Sequence, residues 1–121
     1  MSDHSITSLI EKLEGAEVGS RELDAYVLFK LDYDQSESTP PVTTSLDAAL
    51  SLAERVLPGW YWRAGRTPLG HWHYGRYTYG WAHLSRTDAS NCDRGDEATG
   101  WAATPALALC AAILRAQSEA R

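Results

Sequence analysis

The chain has 121 residues, 44% of them hydrophobic and 22% charged, with a formal net charge of −5. That length predicts one domain spanning 1–121, ordered from about residue 5 to 118, with a core of its own, and the composition is that of a globular rather than a disordered chain. No stretch approaches the roughly 18 apolar residues of a membrane span. Residues 1–10 lack the basic start and apolar run of a secretory signal, and two cysteines, Cys92 and Cys110, are too few for a disulfide framework. The expectation is a cytoplasmic protein with reduced thiols and no membrane partner.

The net charge hides a strong asymmetry. Residues 1–54 hold 11 acids and 3 bases, residues 55–87 hold 5 arginines and no acid, and residues 88–121 hold 5 acids and 3 bases. A negative total argues against coating nucleic acid, whereas an acid-free, arginine-rich middle third does not.

In chain order, the first third reads as helical. Ile6, Leu9, Ile10 and Leu13 form one stripe of an amphipathic helix, closed by Gly15 and Gly19. Ser20 caps a second helix whose stripe is Leu23, Tyr26, Val27 and Leu31, with Glu22 and Asp24 at its electropositive start. Residues 32–44 form a polar, acidic loop containing Pro40 and Pro41. Ser45 caps a third helix with Leu46, Ala49, Leu50, Ala53 and Leu57 as its apolar face, and Pro58 and Gly59 stop it.

The middle third then changes period. Residues 60–66, 71–79 and 81–86 are three aromatic strand candidates at hairpin spacing, with Pro68, Gly70 and Gly80 as the breaks between them. Residues 87–100 read as a loop holding one more short edge strand near 98–101. Thr104 and Pro105 open a last helix with stripes Leu107, Cys110, Ala111, Leu114 and Ala106, Leu109, Ile113. An alanine-rich face this wide predicts close packing against the sheet and a neighbouring helix. The fold class is α+β in the order ααα–βββ–α, a layered sandwich with helices on a small antiparallel sheet of three or four strands.

Three segments carry a resemblance. Ser20-Arg21-Glu22-Leu23-Asp24, Thr44-Ser45-Leu46-Asp47-Ala48-Ala49-Leu50 and Ala103-Thr104-Pro105-Ala106-Leu107-Ala108-Leu109-Cys110-Ala111-Ala112, in that order, resemble the small phage and prophage proteins grouped as the phage ABA sandwich domain. The resemblance spans about residues 9–117 and implies helix, sheet and helix layers and a phage or prophage origin. It brings no known activity and no catalytic residues. Residues 71–79, rich in His and aromatics, depart from the family pattern.

For metal chemistry, His71 and His73 are two apart, hence on one face of a strand, and His83 sits on a neighbouring candidate strand. Three histidines form a zinc-type set. Paired cysteine and His-Glu-x-x-His motifs are missing, so half-exposed histidines on an aromatic sheet, with no metal and no cofactor, are the preferred reading. Cys92 with a histidine and Asp93 or Asp96 is a nucleophile set on paper only, while Cys110 falls on a core stripe. Asp88, Asp93, Asp96 and Glu97 lack calcium-loop spacing. The chain is therefore read as non-catalytic.

The strongest candidate for binding is Arg63, Arg66, His71, Trp72, His73, Arg76, His83 and Arg86, because arginine beside aromatics suits both protein hot spots and exposed bases. The competing surface is acidic: Asp24, Asp32, Asp34 and Glu37. A small acidic phage protein that occupies a basic groove of a host defence component, as anti-CRISPR proteins do, fits that surface by electrostatic complementarity. The functional expectation is an accessory protein that binds a host or phage protein, as an inhibitor of host defence or regulation. Single-stranded nucleic acid on the arginine and aromatic sheet face is the alternative.

Overall fold

The computed structural model describes residues 2–36, 38–73, 76–86 and 97–119. Four helices and three strands follow in the order α1 (Ser2–Gly15), α2 (Arg21–Lys30), α3 (Leu46–Val56), β1 (Tyr61–His73), β2 (Arg76–Ser85), β3 (Glu97–Ala102) and α4 (Pro105–Glu119). The fold is α+β, and the sheet is an antiparallel meander ordered β1-β2-β3.

The caps act where the sequence places them. The Ser20 hydroxyl accepts the Leu23 N–H, that of Ser45 the Ala48 N–H, and that of Thr104 the Leu107 N–H, at 3.1, 3.2 and 3.2 Å. Each bond satisfies an amide that the helix start would otherwise leave unpaired. Helix α2 ends without glycine. Asp32 takes φ 57°, its N–H bonds the Phe29 carbonyl and the Tyr33 N–H bonds the Leu28 carbonyl, the doubly bonded stop usually built on glycine. Aspartate is among the few residues that tolerate this left-handed conformation.

The centre of the molecule is α4. Residues 106–114 are all buried, which goes beyond the two stripes read from sequence. A helix that is apolar all round must be covered all round. Strands β2 and β3 cover one side of α4, and α1 and α3 pack against others. The sheet approaches it closely because the facing residues are small: Gly80, Ala82, Ala98, Gly100 and Ala102. A β-carbon at Gly80 would fall on the Thr104 carbonyl, and one at Gly100 on the Ala108 carbonyl.

Gly80 is therefore not a strand break but a mid-strand contact with the start of α4. Pro68 and Gly70 are not breaks either. Both lie inside β1, where the register shifts so that residues 67–70 stand opposite Tyr79 alone. A bulge on an edge strand accommodates a proline, since its missing N–H breaks no ladder bond there. The candidate strands thus regroup: 60–66 and the start of 71–79 become β1, the remainder of 71–79 joins 81–86 as β2, and the short strand near 98–101 is β3. In α2 the buried set is Leu23, Asp24, Val27 and Leu28, and Tyr26 is exposed. In α3 Leu52 joins Ala49 and Ala53 in the core, while Leu46 and Leu50 are half-buried.

One polar group ties three elements together. Glu14 is fully buried and pairs with Arg115 through both carboxylate oxygens, Nη2 to Oε1 at 2.9 Å and Nη1 to Oε2. The same two side chains bond the outer edge of β3: Trp101 donates its N–H to Glu14 at 3.1 Å, and Arg115 donates to the Thr99 carbonyl at 2.7 Å. The pair thus takes the place of a fourth strand. Exposed edge groups invite pairing with other chains, and here they are consumed.

Two outcomes test this account. Leu107→Asp is expected to abolish cooperative thermal unfolding, because a carboxylate without a partner at that site costs about 4 kcal/mol or more. A melt near the parent temperature would show that α4 is not core. Glu14→Gln is expected to cost about 3 kcal/mol by removing the charge that Arg115 faces, read from the urea midpoint at unchanged slope.

Candidate binding surface

Among the described residues, helices cover one face of the sheet, the face presenting Gly80, Ala82 and Gly100 to α4. Alternation along each strand places Tyr61, Arg63, Trp81, His83, Thr99 and Trp101 on the other face. The helical layer covers β1 less closely than β2 and β3, so Trp62, on the helix side, is 44% exposed and Arg66 is exposed. The result is an aromatic and arginine surface running from β1 along its hairpin with β2. Leu69, Trp72, Tyr77 and Tyr79 stand exposed on that hairpin, with the Trp72 and Tyr77 rings edge to face at 5.1 Å. Arg66, Thr67, Pro68 and Tyr79 line a shallow groove at the bulge.

The residues singled out from sequence divide clearly. Arg63 is exposed and pairs in register with His83, and Arg66 pairs with Gly80. Arg86 is exposed, its guanidinium 5.5 Å from the centre of the Trp60 ring. Trp72 is exposed. His71 stacks on Trp101 at 3.9 Å, and its carbonyl accepts the Thr78 hydroxyl. His83 Nδ1 lies 3.1 Å from the Thr99 hydroxyl, and its Nε2 lies 3.5 Å from Glu97. His71 and His83 are thus directed to different neighbours on β3. Among the described residues no group of three His, Cys, Asp or Glu side chains is placed to hold a metal ion. His73 and Arg76 are register partners beside the hairpin turn; their side chains, like Cys92, Asp88, Asp93 and Asp96, lie outside the described residues.

The acidic surface changes more. Asp24 is buried, not displayed: its carboxylate accepts the Thr43 N–H at 2.8 Å and the Thr43 hydroxyl at 2.5 Å, pinning the 32–44 loop against α2. Thr43 also accepts the Ser20 N–H, so cap, loop and carboxylate form one network. That segment is not a free loop at this end, since Val42 and Thr43 are fully buried. Asp32 closes α2. Asp34 accepts the Ser36 N–H at 2.9 Å, and that bond, with the Ser36 side chain, holds its carboxyl below the usual aspartate range. Glu37 lies outside the described residues. The recess between α1 and α2, in the acidic third, is lined by both lysines of the chain, Lys12 and Lys30, with Leu9, Tyr26 and Phe29. This face is therefore of mixed sign.

The buried Cys110 thiol donates to the Val42 carbonyl at 3.2 Å, and burial, followed by the nearby Asp24 charge, pushes its pKa far up. It packs as a small apolar residue. Sequence reasoning missed Glu14 and misplaced Asp24, although both sit on stripe spacing. Glu14 follows Ile6 and Ile10 at steps of four, and Asp24 precedes Val27 and Leu28 by three and four.

Comparison with protein-family models, curated proteins and solved structures finds no match for the chain. What the geometry defines is an α+β domain whose described helices pack on one face of the sheet. Among the described residues no helix is long and apolar enough to cross a membrane.

The exposed side chains of the hairpin are expected to be cheap to remove. Leu69→Ser should change stability by less than about 0.5 kcal/mol, and Trp72→Ala by about 1 kcal/mol through loss of the Tyr77 contact, both read by chemical denaturation. Cys110 is expected to resist iodoacetamide in mildly alkaline buffer until urea unfolds the chain, checked by site-resolved mass spectrometry.

Proposed function

We propose that the chain is a non-catalytic binding module whose β1 side and hairpin, with the sheet face turned away from the helices, engage another protein. The observation that carries this reading is the exposure of Tyr61, Trp62, Trp72, Tyr77 and Tyr79 together with Arg63, Arg66 and Arg86, in a segment without acids. Tyrosine, tryptophan and arginine bury area and form hydrogen bonds at small entropic cost, and so dominate protein hot spots. The burial of Asp24, the capping role of Asp32 and the lysines beside α1 and α2 weaken the competing acidic surface. In the setting implied by the resemblance at 20–24, 44–50 and 103–112, the module is a phage or prophage accessory protein in the bacterial cytoplasm. Its partner is then a host defence or regulatory component, or another phage protein, held inactive by occupation of an acidic surface.

Single-stranded nucleic acid is the second reading, favoured by the exposed rings beside arginines. Against it, His71 is already stacked on Trp101 and Trp72 meets Tyr77 edge-on, which leaves fewer flat faces for bases.

The test is cross-linked affinity capture from bacterial lysate with the wild-type chain and with Arg63→Glu/Arg66→Glu. The partner is expected to be retained by the former and lost, by ~tenfold or more, with the latter. Equal recovery by both would remove the surface from consideration. Tight binding of a single-stranded oligonucleotide at low salt, falling steeply as salt rises, would favour the second reading.

A further inference from the structure

The two edges of the sheet are treated differently. On β3, Arg115 and Glu14 take the Thr99 carbonyl and the Trp101 N–H, so the peptide groups of these residues point away from β2. Peptide groups alternate in direction along an antiparallel strand. The ladder to β2 is therefore made by Ala98, Gly100 and Ala102, opposite Leu84, Ala82 and Gly80. The other residues of β2, Trp81, His83 and Ser85, turn towards β1 and its Gly65, Arg63 and Tyr61. By the same alternation, Trp62, Ala64 and Arg66 direct their N–H and C=O groups to the outer edge of β1. Among the described residues no backbone group bonds them there.

We propose that this edge, from Tyr61 to Arg66, receives an extended acidic segment of the partner as a fourth strand. The inference rests on the protein-binding reading and names the mode and chemistry of the contact. Main-chain bonds to residues 62, 64 and 66 supply the pairing, as in other strand-addition complexes. Charge selects the occupant. Arg63 and Arg66 project to opposite faces of β1, with no acid between residues 55 and 87, so an incoming strand with carboxylates on both faces meets a guanidinium on each. A second copy of β1 is rejected by the same charges, because pairing would bring Arg63 and Arg66 of both copies into one ribbon. The bulge at 67–70 and Pro68 end the regular edge, which confines the added strand to the stretch before them. Trp62, half out of the helical layer, offers the added strand an apolar wall.

The probe is a short acetylated and amidated peptide repeating Glu-Glu-Val-Val, which puts glutamates on both faces of a strand, with a Lys-Lys-Val-Val peptide as control. In the unbound protein the amides of Trp62, Ala64 and Arg66 are expected to exchange freely, while those of Arg63 and Gly65 exchange slowly. The acidic peptide should protect the first set, and the basic peptide should not. Ala64→Pro removes one outward N–H and no ladder bond, so it should fold with a near-parental melting temperature and bind the acidic peptide ~tenfold more weakly or worse. Should Ala64→Pro fail to fold, the exchange pattern of the wild type decides. Absence of peptide binding, equal binding by Ala64→Pro, or protection of residues 62, 64 and 66 without peptide would each overturn the proposal. So would a concentration-dependent dimer abolished by Ala64→Pro, which makes the occupant a second copy, or protection of these amides by an oligonucleotide alone. Retention of the captured partner by Ala64→Pro but not by Arg63→Glu/Arg66→Glu removes strand addition and leaves the surface standing. Retention by both variants removes the surface as well.

Discussion

The buried pairing of Glu14 with Arg115 organises the molecule more than any single apolar contact. It joins the end of α1 to the last third of α4 and fixes both against the edge of β3. A carboxylate carried into a site without water is tolerated only when its oxygens are fully bonded, and here the guanidinium and the Trp101 N–H meet that requirement. The ion pair is not chiefly a source of net stability, since burying two charges offsets much of their attraction. Its structural effect is specificity: it fixes where α1 lies and closes one side of the sheet.

Everything else follows from covering α4. Because residues 106–114 are buried on every side, the sheet must come close, and close approach demands Gly80, Gly100 and the alanines between them. The helices spent on enclosing α4 are not available to cover the second face of the sheet. The aromatic and arginine side chains of β1 and its hairpin are left exposed for that reason, and among the described residues one sheet edge is bonded by Glu14 and Arg115 while the other is not. A second polar network, Ser20, Asp24 and Thr43, holds the connection between α2 and α3 against the start of α2 and turns what looked like surface acidity inward.

Helices were legible because caps and apolar stripes are local. Ser20, Ser45 and Thr104 act on amides three residues away, and Ile6, Leu9, Ile10 and Leu13 share one side of one helix. Strand boundaries were less so. Proline and glycine at 68, 70 and 80 carry a local meaning of breakage, but the bulge on the edge strand absorbs the first two, and the third is where α4 touches the sheet. Among the site residues, Arg63, Arg66, Trp72 and Arg86 are exposed, which strand alternation without a known register leaves open. His83 was grouped with His71 as a residue of a neighbouring strand, but the register sets His71 opposite Thr78 and His83 opposite Arg63. Asp24 was assigned by its charge, whereas its position on the stripe was the better guide.

The sequence by itself determined the order of elements, their caps, the antiparallel meander and the division of charge, because each depends on residues near one another in the chain. Tertiary structure alone decided which acids are buried, which strand edge is bonded by side chains and which face of the sheet the helices cover. Glu14 and Arg115 are 101 residues apart in the chain, and Asp24 and Thr43, 19 apart, lie on α2 and on the segment that follows it. A buried charge is acceptable only beside its partner, and that proximity is created by the packing of α4, which no local pattern encodes.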